Sequence, residues 1–158
     1  MRDSWDSFFM RIAREVATRA TCDRKHVGAI IVRDNNIIAT GYNGSIPKME
    51  HCDEVGHIVI DGSCVRTTHA EQNALCQAAK RGVALQDSTA YVTCEPCWTC
   101  FKLLITSGVT RIVFVDPYNS EDSTLKGKKL EVVRKLGIRY EEFQEKLKHQ
   151  KPPEETGG

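Results

Sequence analysis

The sequence predicts an α/β fold, a three-layer α/β/α sandwich built around a five-stranded mixed sheet. Short runs rich in Val, Ile and Thr alternate with longer stretches whose apolar residues recur at helical spacing. Glycines close three of those stretches, at Gly82, Gly108 and Gly137, where a helix exit favours a residue without a Cβ. Strands that alternate with helices call for right-handed crossovers and a mostly parallel sheet.

Along the chain, Trp5, Phe8, Phe9, Ile12, Ala13 and Val16 mark an amphipathic helix over 4–20, with Ser4 as its cap. Two β-rich runs, 27–33 and 36–40, meet through Asp34 and Asn35, residues that tolerate a tight turn, so they form an antiparallel hairpin, the exception in the sheet. The stretch 41–67 mixes Gly, Pro, Asn, Asp, His and Cys without periodicity and is expected to be a long irregular excursion. Beyond it come a helix over 69–81, a strand over 89–93, a helix over 97–107 and a buried strand over 111–115. A basic amphipathic helix over 124–136 and a last strand over 138–142 complete the sheet. One domain over 1–143 is expected, with a frayed tail over 144–158, whose Pro, Lys, Glu and Gly residues carry too little apolar surface to order.

The chain has 158 residues, enough for one core of its own. Its 22 basic and 21 acidic side chains leave a formal charge of +1, so no global field favours a polyanion, and a small-molecule substrate is expected rather than nucleic acid. No stretch approaches the roughly 18 apolar residues of a membrane span, and the charged N-terminus is unlike a signal peptide. A cytoplasmic protein without a membrane partner is expected. There, seven cysteines, an odd number, suggest metal binding or catalysis rather than disulfides.

The chemistry concentrates in His69-Ala70-Glu71 and Pro96-Cys97-Trp98-Thr99-Cys100. Two cysteines three apart at a helix start share a face, and the free amides there favour thiolates. Pro96 is expected early in that helix's first turn, where its missing N–H costs nothing. With His69 they make three ligands for Zn2+, and a fourth, open position is the mark of catalytic zinc. Glu71 is near enough to carry a proton without binding metal. The expected reaction is hydrolytic attack at C4 of a cytosine ring, Glu71 protonating N3 and then the departing amino group. A C-x-x-C alone could be redox-active and a lone histidine structural; together the two motifs resemble the signature of zinc nucleobase deaminases.

Those motifs, with Val27-Gly28-Ala29-Ile30-Ile31-Val32, Thr40-Gly41-Tyr42-Asn43-Gly44-Ser45, His69 through Leu75 and Cys52-Asp53-Glu54-Val55-Gly56-His57, resemble the cytidine deaminase superfamily, and within it the deoxycytidylate deaminases, across residues 5–142. The resemblance implies dCMP as substrate and dUMP for thymidylate synthesis as product. It also implies a homo-hexamer activated by dCTP and inhibited by dTTP, with Mg2+ accompanying the effector. It assigns Asn43 to the sugar and base, although Asn-Gly by itself reads as a turn. Ala70 falls at the substrate, and Gly44 and Ser45 at a nucleotide site, catalytic or regulatory. For the 5′-phosphate, Arg24, Lys25 and Tyr118 are the candidates, since phosphate takes charge-assisted donors.

Cys22, His51, Cys52, His57 and Cys64 remain, four of them in the excursion. A closed Cys/His site would fasten such a loop, and the preferred set for a second, structural zinc is Cys22, Cys52, His57 and Cys64, with His51 as substitute and His26 and Ser63 nearby. Buried free cysteines are the alternative. Cys76 and Cys94 are expected in the core, and Gln77 and Lys80 toward water. On this scaffold dCTP, cytidine or a tRNA adenosine could replace dCMP. A non-catalytic zinc-binding interaction module would hold the ligands but leave Glu71 without use.

Overall fold

The computed structural model describes residues 2–145, so most of the expected tail lies outside the described residues. Helix α1 spans Trp5–Ala17, and Ser4 caps it by accepting the Ser7 N–H at 3.2 Å. It stops short of Ala20 because the Thr18 hydroxyl and amide both turn back onto Glu15 O. Strands β1 (Gly28–Arg33) and β2 (Asn36–Tyr42) form the hairpin, with Asp34 and Asn35 at φ 51° and 57°, the paired left-handed geometry of a type I′ turn.

The remaining strands of the main sheet are β7 (Ser88–Cys94), β8 (Val109–Asp116) and β9 (Arg139–Glu142), in the order β2-β1-β7-β8-β9. The sheet is mixed as expected. Its antiparallel element is β1 alone, which runs against both β2 and β7, while β7, β8 and β9 are parallel. The crossovers are α4 (Trp98–Thr106) and α5 (Ser123–Leu136), and α3 (Ala70–Arg81) precedes β7.

Strand periodicity divides the core. Ala29, Ile31 and Val92 face α3 and α4 in a cluster with Ala74, Phe101 and Leu104, and Val132 and Val133 of α5 pack against it. Ile30, Val32, Tyr91 and Val113 face the other way, onto Phe9, Met10 and Ala13 of α1. Two glycines set the interlayer spacing. A Cβ on Gly28 would fall on Ala13 O and Ala17 N, and one on Gly41 would fall on Ala70 O and Ala74 N. Gly41 therefore lets β2 press against the first turn of α3.

Two expectations need correction, and one residue departs from its neighbours. The excursion is not wholly irregular: it holds β3 (Gly44–Ser45) paired with β6 (Thr67–Thr68), the short helix α2 (Cys52–Val55), and the hairpin of β4 (Val59–Ile60) with β5 (Ser63–Cys64). Cys76 is exposed, because α3 turns Ala70, Ala74 and Ala78 inward at intervals of one turn and Cys76 lies off that stripe. Lys129, within the basic helix, is fully buried, because it occupies the inward row of α5 one turn before Val132 and Val133.

On the α1 face, Arg111 donates two hydrogen bonds to Asp6, at 2.8 and 2.7 Å, and two to Glu141 Oε2, at 2.9 and 2.6 Å; the Tyr91 hydroxyl also donates to Asp6, at 2.6 Å. The Arg111 guanidinium beside it holds the Asp6 carboxyl below its ordinary 3.8. A depressed carboxylate stabilises the fold above its unfolded pKa and loses that contribution as pH falls through the folded value. Asp6→Asn should thus cost about 1 kcal/mol at pH 7, reduced by partial exposure, and the gap from wild type should narrow as pH falls from neutral through the lowered value of the folded carboxyl. Urea unfolding across that range checks it; a gap that does not change with pH would refute the ion-pair account.

Candidate active site

Helices α3 and α4 begin side by side at the edge of the sheet where β7 ends and β1 starts, the edge where open α/β sheets bind ligands. His69 is the N-cap of α3, its N–H donating to Gln72 Oε1 at 2.9 Å. Cys97 is the N-cap of α4, and Cys100 follows in the first turn. Pro96 therefore precedes the helix instead of lying within its first turn, since the extended Cys97 (φ −63°, ψ 165°) intervenes. His69 Nδ1 lies 3.7 Å from Cys97 Sγ and 3.4 Å from Cys100 Sγ. A tetrahedral zinc with bonds of about 2.0 Å to nitrogen and 2.3 Å to sulfur has nitrogen–sulfur edges of about 3.5 Å. The donor set and its spacing fit that ion.

The three donors are electrostatically matched. The neighbouring Cys100 sulfur, together with His69, draws the Cys97 thiol down to about 4, against the effect of burial. Cys97 in turn raises His69. Cys100 is raised by Cys97, by burial and by Glu71. Glu71, one residue into α3, is buried, and loss of solvent pushes its carboxyl above the usual range.

A cavity of about 310 Å³ opens onto this cluster, a size suited to a small ligand. His69, Ala70, Glu71 and Cys97 line its inner end, and Arg24, Lys25, Ser63, Thr67, Tyr118 and Ser120 line other parts of it. Asn43, 7% exposed, also lines it, and its side chain holds the wall: Oδ1 accepts from Val27 N at 2.8 Å and Nδ2 donates to Lys25 O at 2.7 Å. Neither Asn43 nor Gly44 has a positive φ, so the pair is no tight turn. Gly44 and Ser45 are not among the lining residues; the Ser45 N–H, in β3, donates to Thr21 Oγ1 at 3.1 Å. Arg24 donates to Gly62 O at 3.0 Å, and Lys25 Nζ lies 2.9 Å from Cys94 Sγ and 6.0 Å from the Tyr118 ring.

A second cluster assembles from the four preferred loop residues. Donor atoms of Cys22, Cys52, His57 and Cys64 lie within 4.8 Å of one another. Cys52 Sγ is 3.7 Å from Cys64 Sγ, Cys22 Sγ is 3.6 Å from His57 Nδ1, and His57 Nε2 meets Asp23 at 3.0 Å. A carboxylate behind a ligand imidazole is the usual outer support of a metal-bound histidine. His51 stands apart from the cluster as the N-cap of α2.

Residues 3–116 match the sequence profile of the family described as the cytidine and deoxycytidylate deaminase zinc-binding region. The chain belongs to that family. It is 44% identical to ComE operon protein 2 of Bacillus subtilis over 75% of this chain and 63% of that protein. It is 37% identical to deoxycytidylate deaminase of Mycobacterium phage D29 over 72% of this chain and 95% of the phage protein. The dCMP deaminase of cyanophage S-TIM5, solved in complex with dCMP and dUMP, superposes with a TM-score of 0.74 at 28% identity, covering 90% of this chain and 99% of that one. The chain spans only 63%, 46% and 40% of the lengths of three longer curated relatives.

Within this family site, Ser63, Thr67, Cys94 and Ser120 had no prior assignment as cavity residues. They come from four separate segments, and no local spacing connects them; the tight turn around Tyr118 and the loop hairpin bring them together only in the fold. Cys94 is buried as expected, yet it faces the cavity. In metal-free protein, iodoacetamide at about pH 5.5 should label Cys97, whose thiol is drawn down to about 4, well before Cys94, whose thiol burial raises. Peptide mass mapping over time checks the order, and equal rates would contradict the electrostatic pairing of Cys97 with His69.

Proposed function

We propose that the chain hydrolyses dCMP to dUMP and ammonia in this cavity. The observation that carries the reading is Glu71, a buried carboxyl that faces the cavity beside three converging metal donors. An interaction module has no use for such a group. The phage relative solved with dCMP and dUMP holds both the substrate and the product of the reaction.

His69, Cys97 and Cys100 would hold zinc, which makes a water reactive near neutral pH. Glu71 accepts the proton of the attacking water, delivers it to N3 of the cytosine ring, and protonates the amino group as it leaves C4. Its raised pKa suits a group that must both take and give a proton. Ala70 presents a free backbone N–H at the first turn of α3, and Asn43 retains one donor and one acceptor position for the nucleoside. Arg24 and Lys25 are the cations of the lining, and with Tyr118 they are assigned to the 5′-phosphate.

The second cluster is assigned a structural zinc held by Cys22, Cys52, His57 and Cys64, supported by their spacing and by Asp23 behind His57. Activation by dCTP and inhibition by dTTP with Mg2+, a homo-hexamer, cytoplasmic location and dUMP supply for thymidylate synthesis complete the reading. They rest on the family resemblance. For the effector, Gly44 and Ser45 are the assignment, supported by a buried Ser45 hydroxyl without a protein partner. A tRNA substrate is disfavoured by the balanced charge of +1, and a tRNA-deaminase structure at 19% identity speaks only to the fold.

Zinc-loaded protein offered dCMP, CMP, deoxycytidine, dCTP and an adenosine-bearing tRNA should release ammonia fastest from dCMP. Glu71→Gln should lower turnover by about 10²–10⁴-fold while keeping its zinc. Reaction with tRNA alone would displace the substrate assignment, and no reaction with any of them, dCTP and Mg2+ included, would favour the interaction module. For the second cluster, metal analysis should find two zinc ions per chain. Cys52→Ser should leave one and lower Tm by about 5 °C, or roughly 2 kcal/mol; one zinc in the wild type would remove the structural site.

A further inference from the structure

Lys129 is 1% exposed, although Lys128 and Lys135 on the same helix face solvent. Its Nζ donates to Pro96 O at 2.5 Å and pairs with Glu121 Oε2 at 2.5 Å and Glu95 Oε1 at 3.6 Å. Burying a lysine is costly unless its partners are well placed, and here they converge on one short turn. Glu121 Oε1 accepts the Trp98 N–H at 2.7 Å. Glu95 Oε2 accepts the Tyr118 N–H at 2.9 Å, and Glu95 Oε1 accepts the Tyr140 hydroxyl at 2.7 Å. The network thus grips the backbone immediately before and immediately after Cys97, and through Tyr118 it also holds the cavity wall.

The grip answers a local need. The first amides of a helix have no partner within it, and Cys97 directs its sulfur to His69. Glu121 satisfies the Trp98 N–H, the first of α4, from outside the helix. A buried carboxylate is costly unless it is paired, and Lys129 offsets the charge of Glu121. Glu121, Lys129 and Tyr140 all lie beyond residue 116, where the family match ends.

We propose that Lys129 is a positioning residue of the metal site: acting through Glu121 and Pro96, it holds the Pro96–Trp98 turn so that Cys97 and Cys100 stand at ligand spacing before metal binds. This rests on the reading of His69, Cys97 and Cys100 as zinc ligands. The C-terminal helix then contributes to metal affinity without touching metal or substrate. Outer supports of this kind change metal affinity by about 10–100-fold when removed.

The test uses zinc-loaded full-length protein exposed to graded chelator and then to iodoacetamide, with Cys97 and Cys100 alkylation read by peptide mass spectrometry. This isolates the site from the loop cluster. Lys129→Met should expose both cysteines at about 10–100-fold lower chelator concentration. Glu121→Gln, which keeps an acceptor for Trp98 N–H, should shift the midpoint less than Glu121→Ala, and adding Glu121→Gln to Lys129→Met should restore part of the loss. Arg111→Met, on the opposite face, should lower Tm without shifting the midpoint. Should Lys129→Met fail to fold, the two Glu121 variants still decide. Wild-type midpoints in the folded variants would overturn the proposal, leaving the ligand assignment intact. Cysteines in wild type that zinc does not protect would remove the ligand assignment and this inference together.

Discussion

Three candidate metal donors drawn from two helices, His69, Cys97 and Cys100, converge at the spacing of one tetrahedron's edge, and the geometry around them follows from that convergence. His69 and Cys97 occupy the N-cap positions of α3 and α4, so each helix starts with a side chain that also faces the other donors. In α3 the acceptor for the His69 N–H is the Gln72 side chain. In α4 the acceptor comes from Glu121, 23 residues further along the chain. The two helix starts must also abut, which requires α3 to sit hard against β2. Gly41 makes this possible, because a side chain there would collide with the α3 backbone between Ala70 and Ala74.

The two faces of the sheet bear different loads. On the α1 side, Phe9, Met10, Ile30, Val32 and Val113 make an apolar layer, closed at its rim by Arg111, Asp6 and Glu141. There the charges are partly exposed and their contribution to stability is modest. On the other side, Glu71, Cys100 and Lys129 are all withdrawn from water. Buried ionisable groups destabilise unless satisfied, so that face depends on the Phe101, Leu104, Ile112 and Ala74 cluster for its stability. Reactivity is concentrated where the protein is electrostatically least comfortable, and the larger apolar cluster lies under it.

Much of this was legible from residue order. The helices and strands follow from periodicity, Asp34-Asn35 marks its own turn, and His69, Glu71, Cys97 and Cys100 are adjacent enough in sequence to be read as motifs. Lys129 shows where such reading fails. In a helix rich in lysine it looks like one more solvated charge, and its partners Glu95 and Glu121 are distant in sequence. A signal was present: with Leu125, Val132 and Val133 it falls on the inward row of α5, and a lysine on an apolar row asks for a buried carboxylate. Cys76 failed the opposite way, since its residue type suggested burial while its helical position faces out. Cavity residues such as Ser63 and Ser120 carried no signal, because only the tertiary fold gathers them.

The excursion between β2 and α3 has the weakest core of its own: Ile58, Val59, Ile60 and Val65 are exposed around its small hairpin. Yet Gly62, Ser63 and Cys64 of that hairpin line the cavity, and so does Cys22, which follows α1. A segment with little apolar burial cannot hold a wall in place by packing, so cross-links must do it. Such links include the Arg24 bond to Gly62 O, the His57–Asp23 contact and the Cys22–Cys52–His57–Cys64 cluster. Within that cluster burial pushes the Cys52 thiol up to about 12, while the backbone amides around Cys64 and the His57 side chain overcome its burial and bring it down to about 6. A metal held there by the four side chains would tie the hairpin to the segment that follows α1, so the wall of the cavity would be set from outside the His69, Cys97 and Cys100 cluster.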